Sequence, residues 1–295
     1  MLRPFAIHQP TSVAEASGLM LELGDDAAFY AGGTELLIVL KEHLASVEHL
    51  IDIKRIPGLA DVELSDDGHS LIIGALATHR AIERDTKVRS FLPALAVLEA
   101  QVANVRVRSV GTIGGNLCFA DPHSDPATLL SALGATLTLD NGRAARTVRA
   151  EAFITDLMTT DREADELLTR ITIPLPETAV GIGYERIRLH ERPTASAAAV
   201  IGVESGVISS ARLYVGCVGD APQRLWDVED ALTGAPAVAA SGERVKQHIA
   251  SRVVTYDTPF ESARYKRQLA SAVCARAIAA AILDASGSLG ARHVA

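Results

Sequence analysis

Two glycine pairs constrain this chain more than any other feature. The first stands in Phe29-Tyr-Ala-Gly-Gly-Thr-Glu-Leu36, the second in Thr112-Ile-Gly-Gly-Asn116. Glycine lacks Cβ, so its backbone can turn with positive φ and its N–H groups can converge on an anion. Apolar residues flank both stretches. Two such loops imply two places where bare backbone approaches a ligand, and the phosphates of a dinucleotide are the matching anion. Taken singly, each pair also reads as a tight turn before a helix.

The chain around the first pair reads as β-α-β. A helix is predicted over 11–23, with Thr11 or Ser12 as its cap, Glu15 at capping-box distance from Ser12, and Gly24 at its end. A short strand then leads into Gly32, a helix continues over 34–44, and a strand over 49–53. Further strands are expected at 71–75, 135–140 and 167–173, with a hairpin turn at Asn141-Gly142. Helices are expected from Thr78 through Arg84, over 91–102 and over 126–133. Pro174 and Pro176 mark the best boundary, giving a first domain over 1–177 (subdomains about 1–56 and 57–177) and a second over 178–295. In the second, 195–203 reads as an apolar stretch and 207–218 as two strands. Helices are expected at 228–232 and 243–249, and a long alanine-rich helix at 263–283. The fold class is α+β.

The net charge of −8 argues against a general nucleic-acid or membrane-surface role. Cys118, Cys217 and Cys274 are far apart, which argues against a disulfide framework and fits a reducing cytoplasm. They cannot supply a four-thiolate metal site. No signal-peptide stretch opens the sequence, and no run of about 18 apolar residues suggests a membrane span.

Together, the two loops, their spacing and the downstream Asp125 resemble the FAD-binding (medium) subunit of the molybdenum hydroxylases, of the carbon monoxide dehydrogenase and xanthine dehydrogenase type. The resemblance implies a two-subdomain FAD-binding domain of the vanillyl-alcohol oxidase (PCMH) type. A smaller α+β domain like the carboxy-terminal domain of the carbon monoxide dehydrogenase flavoprotein would come after it. Residue by residue it implies that Phe29, Tyr30, Ala31, Gly32, Gly33, Thr34, Glu35 and Leu36 form one pyrophosphate loop. Thr112, Ile113, Gly114, Gly115 and Asn116 form the other. Asp125 matches an acidic residue that accepts hydrogen bonds from a sugar or ribityl hydroxyl. Leu168 matches an apolar residue against the ring system. Arg186 stands where relatives often have lysine near the flavin, and Val102 near an aromatic position. The segment 191–196 departs from the Arg-Arg…Asp pattern of relatives.

The resemblance further implies an oxidoreductase subunit with non-covalent FAD and neither a catalytic acid, base or nucleophile nor a metal of its own. A large partner would hold the molybdenum cofactor and a small one two [2Fe–2S] clusters, the whole assembled as a dimer of heterotrimers. Electrons would enter from a [2Fe–2S] cluster and leave to NAD, a quinone or another acceptor. The isoalloxazine would lie between the two domains. Rival readings are a free-standing flavin oxidase or reductase on the same fold, and a non-catalytic assembly subunit; the intact loops speak against the latter. Several residues also have plainer roles open to them. Asp125 could cap the helix that begins there, and His123 reads as a solvated histidine in a turn. Cys118 reads as a small buried apolar residue. Arg106 and Arg108 read as surface charges or as part of a contact with an iron–sulfur partner.

Overall fold

The computed structural model describes residues 2–176, 180–189 and 192–291, with side chains up to 287. The expected boundary at 177–178 lies outside the described residues, as does Glu191 of the divergent 191–196 segment. Packing divides the chain into two compact units. One runs to Phe119 and adds Thr136–Phe153 and Thr159–Ile173. The other comprises Ala120–Ala135, Ile154–Met158 and everything from Pro174 onward.

The first helix of the first unit is Val13–Leu23. Ser12 Oγ accepts from the Glu15 amide at 3.2 Å, and the Glu15 carboxylate reaches back to the Thr11 amide at 2.8 Å. The strand Ala27–Tyr30, the helix Leu36–Lys41 and the strand His49–Asp52 then form the expected β-α-β unit, the strands being parallel. Ala6–His8 adds on the other side of His49–Asp52, also parallel. Leu50 and Ile51 are wholly buried, as a central parallel strand requires. The helix is shorter than the predicted 34–44, because Thr34 and Glu35 belong to the turn that precedes it.

A five-stranded sheet comes next, in the order Val62–Leu64, Ser70–Gly74, Leu167–Pro174, Thr136–Asp140, Ala145–Arg149. Its last two strands are the Asn141-Gly142 hairpin, with Gly142 at φ 76°. The helix predicted over 91–102 is Pro93–Ala100; Thr86–Phe91 forms a separate helix, broken at Leu92 where Pro93 takes the first turn of the next. Val105–Val110 and Ile113–Phe119 are two further short helices.

In the second unit, Val180–Ile187, Ala195–Glu204, Val207–Gly216 and Gln223–Arg224 form an antiparallel sheet. The two strands expected within 207–218 are thus one long strand. The helix Asp125–Ala132 packs on this sheet: Arg212 donates to the Ala132 carbonyl, and Thr128 and Ser196 share a hydrogen bond.

The helix Ala263–Ala291 covers the same sheet. A Cβ on Gly181 or Gly183 would overlap the carbonyl of Ala281 or Ala277, so glycine strand and alanine helix meet backbone to backbone. By length and composition this helix could cross a membrane. A count of consecutive apolar residues does not flag it, since charges such as Arg276 and Asp284 interrupt it. Here Ala270, Val273, Cys274, Ala277, Ile278 and Ala281 are buried in the core of the unit.

Candidate cofactor site

The first unit contains a cleft of about 540 Å³. From the first loop, Phe29, Ala31, Gly32, Gly33, Thr34, Glu35 and Leu36 line it; Tyr30 does not. From the second stretch, Thr112, Gly114, Gly115 and Asn116 line it, while Ile113 is wholly buried beneath. Val102 and Leu168 complete the expected set within this unit. Two stretches remote from each other in sequence therefore share one space.

The glycines are required by close approach. A Cβ on Gly32 would overlap the Val110 carbonyl, so the first loop lies directly on the turn that leads into the second. Gly33 has φ 71°, and its missing Cβ leaves room for the Tyr30 ring. A Cβ on Gly114 would stand 2.6 Å from both the Cβ and the carbonyl oxygen of Ala75. A Cβ on Gly115 would stand 2.9 Å from Thr112 Oγ1 and 3.8 Å from the Ala31 Cβ, so the two stretches come close to contact here.

The second glycine pair is not a loop. Residues 113–119 are helical, started by the Thr112 side chain accepting from the Gly115 amide at 3.1 Å. Its amides at 113 and 114 are taken by the carbonyls of Ala77 and Ala75. The first loop differs: the amides of Gly32, Gly33 and Thr34 donate to no other group among the described residues. These residues are half-buried at the edge of the cleft, and three unpartnered main-chain donors in a row there form a cradle for an anion.

Side chains without a sequence motif brace this cradle. Lys54 donates to the Ala31 carbonyl at 3.2 Å, pairs with Asp52 at 2.7 Å and lies 3.8 Å over the Tyr30 ring. Arg162 Nη1 donates to the carbonyls of Glu163, Ala164 and Glu166, with the guanidinium over Phe29. Glu166, also in the wall, accepts from Arg146, whose hydrogen bonds hold its carboxyl below the usual range. His79 lines the cleft too, with Nδ1 2.5 Å from Glu99. Sequence reasoning missed all of these, because most act through a partner remote in the chain. Cys118 is in the wall, and burial pushes its thiol up to about 11, so it stays protonated at neutral pH.

The remaining two candidates belong to the second unit and meet each other. Asp125 receives the Arg186 guanidinium at 2.5 Å and the Tyr184 hydroxyl. Burial, then the Asp125 charge, drives the Tyr184 hydroxyl well above its ordinary pKa. Asp125 is not the cap of its helix: Ser124 holds that position, and the Asp125 carboxylate is turned to Arg186 and Tyr184. His123 sits beside Asp121. Arg108 is half of a brace, donating to Glu83 and to the Val102 carbonyl.

A β-α-β unit with unpartnered amides at its strand-to-helix turn, facing a second glycine pair over an apolar cleft, defines a dinucleotide-binding protein. The volume of the cleft and its largely apolar lining fit FAD. Sequence comparison narrows the class. The family described as "FAD binding domain in molybdopterin dehydrogenase" matches residues 3–176, and the "CO dehydrogenase flavoprotein C-terminal domain" matches 187–281. The chain belongs to this family of molybdenum-hydroxylase flavoproteins; it is an oxidoreductase subunit whose cofactor is FAD.

Its relatives include the caffeine dehydrogenase subunit beta of Pseudomonas sp. (strain CBB1), 32% identical over 92% of this chain and 93% of that one. The carbon monoxide dehydrogenase medium chain of Afipia carboxidovorans is 35% identical over 76% of this chain and 77% of its own. Among solved structures, reconstituted CO dehydrogenase from Oligotropha carboxidovorans superposes with a TM-score of 0.90 at 30% identity, over 96% of this chain and 99% of that one.

Proposed function

We propose that this chain is the electron-transfer subunit of a molybdenum-containing hydroxylase or dehydrogenase. It accepts electrons from a [2Fe–2S] partner and passes them to NAD, a quinone or another acceptor. Its partners are a large molybdopterin subunit and a small iron–sulfur subunit, assembled as a dimer of heterotrimers in the cytoplasm. The observation that carries the reading is the row of three unpartnered amides, Gly32 to Thr34, opposite Gly114 and Gly115.

FAD, when bound, supplies a carrier that takes electrons singly and releases them in pairs. The chain's own part is to hold and insulate. The Gly32–Thr34 amides grip the diphosphate; the Gly114–Gly115 face lets it approach. Val102 and Leu168 exclude water from the apolar wall. Three ionisable groups of the cleft are held by partners within the chain: Glu166 by Arg146, Arg162 by main-chain carbonyls, and His79, through Nδ1, by Glu99. This arrangement suits electron passage, which needs no proton donor poised over a substrate. The protonated Cys118 suits a flavin held without a covalent bond.

The test is purification of the tagged chain from its native host. Copurification of two further chains, with molybdenum and iron in the sample and a bleachable flavin absorbance, is the expected result. Recovery as a lone chain that oxidises an organic substrate by itself would overturn the subunit reading.

A further inference from the structure

Glu99 has no solvent exposure, and its Oε1 is a buried side-chain oxygen without a hydrogen-bond partner among the described residues. Its other oxygen lies 2.5 Å from His79 Nδ1. His79 is itself almost fully buried, yet it lines the cleft. Its amide donates to the Gly111 carbonyl at 3.0 Å, which fixes the ring under the turn between the two glycine stretches. The place of the ring is narrow: a Cβ on Gly111 would stand 3.3 Å from His79 Cδ2 and 3.5 Å from the Thr34 methyl. Gly32 packs on the same turn. The Cδ2 edge of the imidazole is therefore set where the first loop meets the turn that leads into the helical second pair. No described group bonds to Nε2.

We propose that His79 is a direct ligand of the bound dinucleotide's diphosphate, donating from Nε2, and that Glu99 is the positioning residue that makes it a donor. The inference rests on the flavin reading above and adds a side-chain contact to the main-chain cradle. A carboxylate sealed from water with one partner is costly unless its charge is matched. The pair is matched when it holds two protons in all. One lies between Glu99 Oε2 and Nδ1; the other is then on Nε2, wherever the first resides between its two heavy atoms. Nε2–H is thus a donor beside the first loop and the Gly111 turn, and an anion in the cleft there completes it. The unpartnered amides of the first loop line the same cleft as His79, so side chain and main chain grip one group.

The full-length chain, stripped of flavin, is titrated with FAD, ADP and adenosine, and the diphosphate of the bound FAD is observed by phosphorus NMR. For His79→Phe, FAD and ADP should each bind at least about tenfold more weakly, the loss expected for one charge-assisted hydrogen bond. Adenosine should bind as before, and the phosphorus resonances should move. His79→Gln, whose side-chain amide can still donate, should recover part of the affinity. Glu99→Gln should weaken FAD and move the resonances without altering the apolar wall. If His79→Phe does not fold, His79→Gln and Glu99→Gln carry the same comparison. Affinities within twofold of wild type with unmoved resonances would overturn the inference alone. Equal losses for ADP and adenosine would also overturn it, by placing the contact elsewhere on the nucleotide. A wild-type chain that binds neither FAD nor ADP would bring down both this inference and the flavin reading.

Discussion

The two units of this protein use glycine alike, for close approach, but leave different groups beside it. In the first, Gly32 and Gly33 pack on the Val110 carbonyl and the Tyr30 ring, yet they border a cleft, and three neighbouring amides have no partner within the described chain. In the second, Gly181 and Gly183 let the helix Ala263–Ala291 settle onto the sheet, and Gly216 lies against Thr128 and Ser196, with no cleft between. Polar groups divide in the same way. Asp125, Tyr184 and Arg186 satisfy one another, and Glu229 accepts from Arg224 and the Leu213 amide. Main-chain donors left unsatisfied mark where a ligand belongs; donors satisfied internally mark a core.

The contrast can be broken by putting valine into each unit. Gly115→Val should reduce FAD retention to near zero, because its branched side chain fills the space opposite Ala31. Its folding stability should fall by about 1–2 kcal/mol, because the new Cβ crowds Thr112 Oγ1, which starts the helix by accepting from the residue 115 amide. Flavin content by absorbance and a urea titration decide it; normal flavin content would overturn the cleft assignment. Gly183→Val should do the reverse in kind, costing about 3 kcal/mol or more, because the new Cβ meets backbone that cannot give way. A urea midpoint unchanged from wild type would contradict backbone-to-backbone packing there.

A smaller effect is expected at Asp125→Asn. Arg186 loses its countercharge in a buried setting, and the loss should be roughly 2 kcal/mol, read as a lower thermal midpoint. The smallest effect concerns Cys118. With the thiol at about 11, iodoacetamide should modify it slowly at pH 7–8 and faster only as the pH approaches that value. The sign for stability is the same. The unfolded thiol, at 9.0, ionises first, so the contribution is complete below that pH and fades as the pH rises toward about 11. Rapid alkylation of the native chain at neutral pH would show that the wall does not hold the Cys118 thiol protonated.

Local chemistry is legible in the sequence wherever one residue does its work alone. Gly32 and Gly33 declare a tight approach, Ser12 and Glu15 a helix start, and Asn141-Gly142 a hairpin, and each stands where the sequence puts it. Features that depend on two distant residues are not legible. The helical state of Gly114 and Gly115 is fixed by carbonyls at Ala75 and Ala77, in a different stretch of the chain. The His79–Glu99 pair, the Lys54 brace and the turning of Asp125 toward Tyr184 and Arg186 have the same origin. The strand Val207–Gly216 reads as two from sequence because Ser209 and Ser210 break its apolar pattern; pairing along Ala195–Glu204 carries it through.

The helix Asp125–Ala132 is encoded early but covered late. All eight of its residues are buried, and the strands that bury it begin at Ala195. A ribosome adding about 5–20 residues per second exposes this apolar segment for several seconds before its cover exists. Chaperone holdases therefore have a defined target during synthesis. Any fragment ending near residue 176 would keep that greasy face permanently bare, so dissecting the protein at its proline boundary should give aggregates, not a soluble flavin domain.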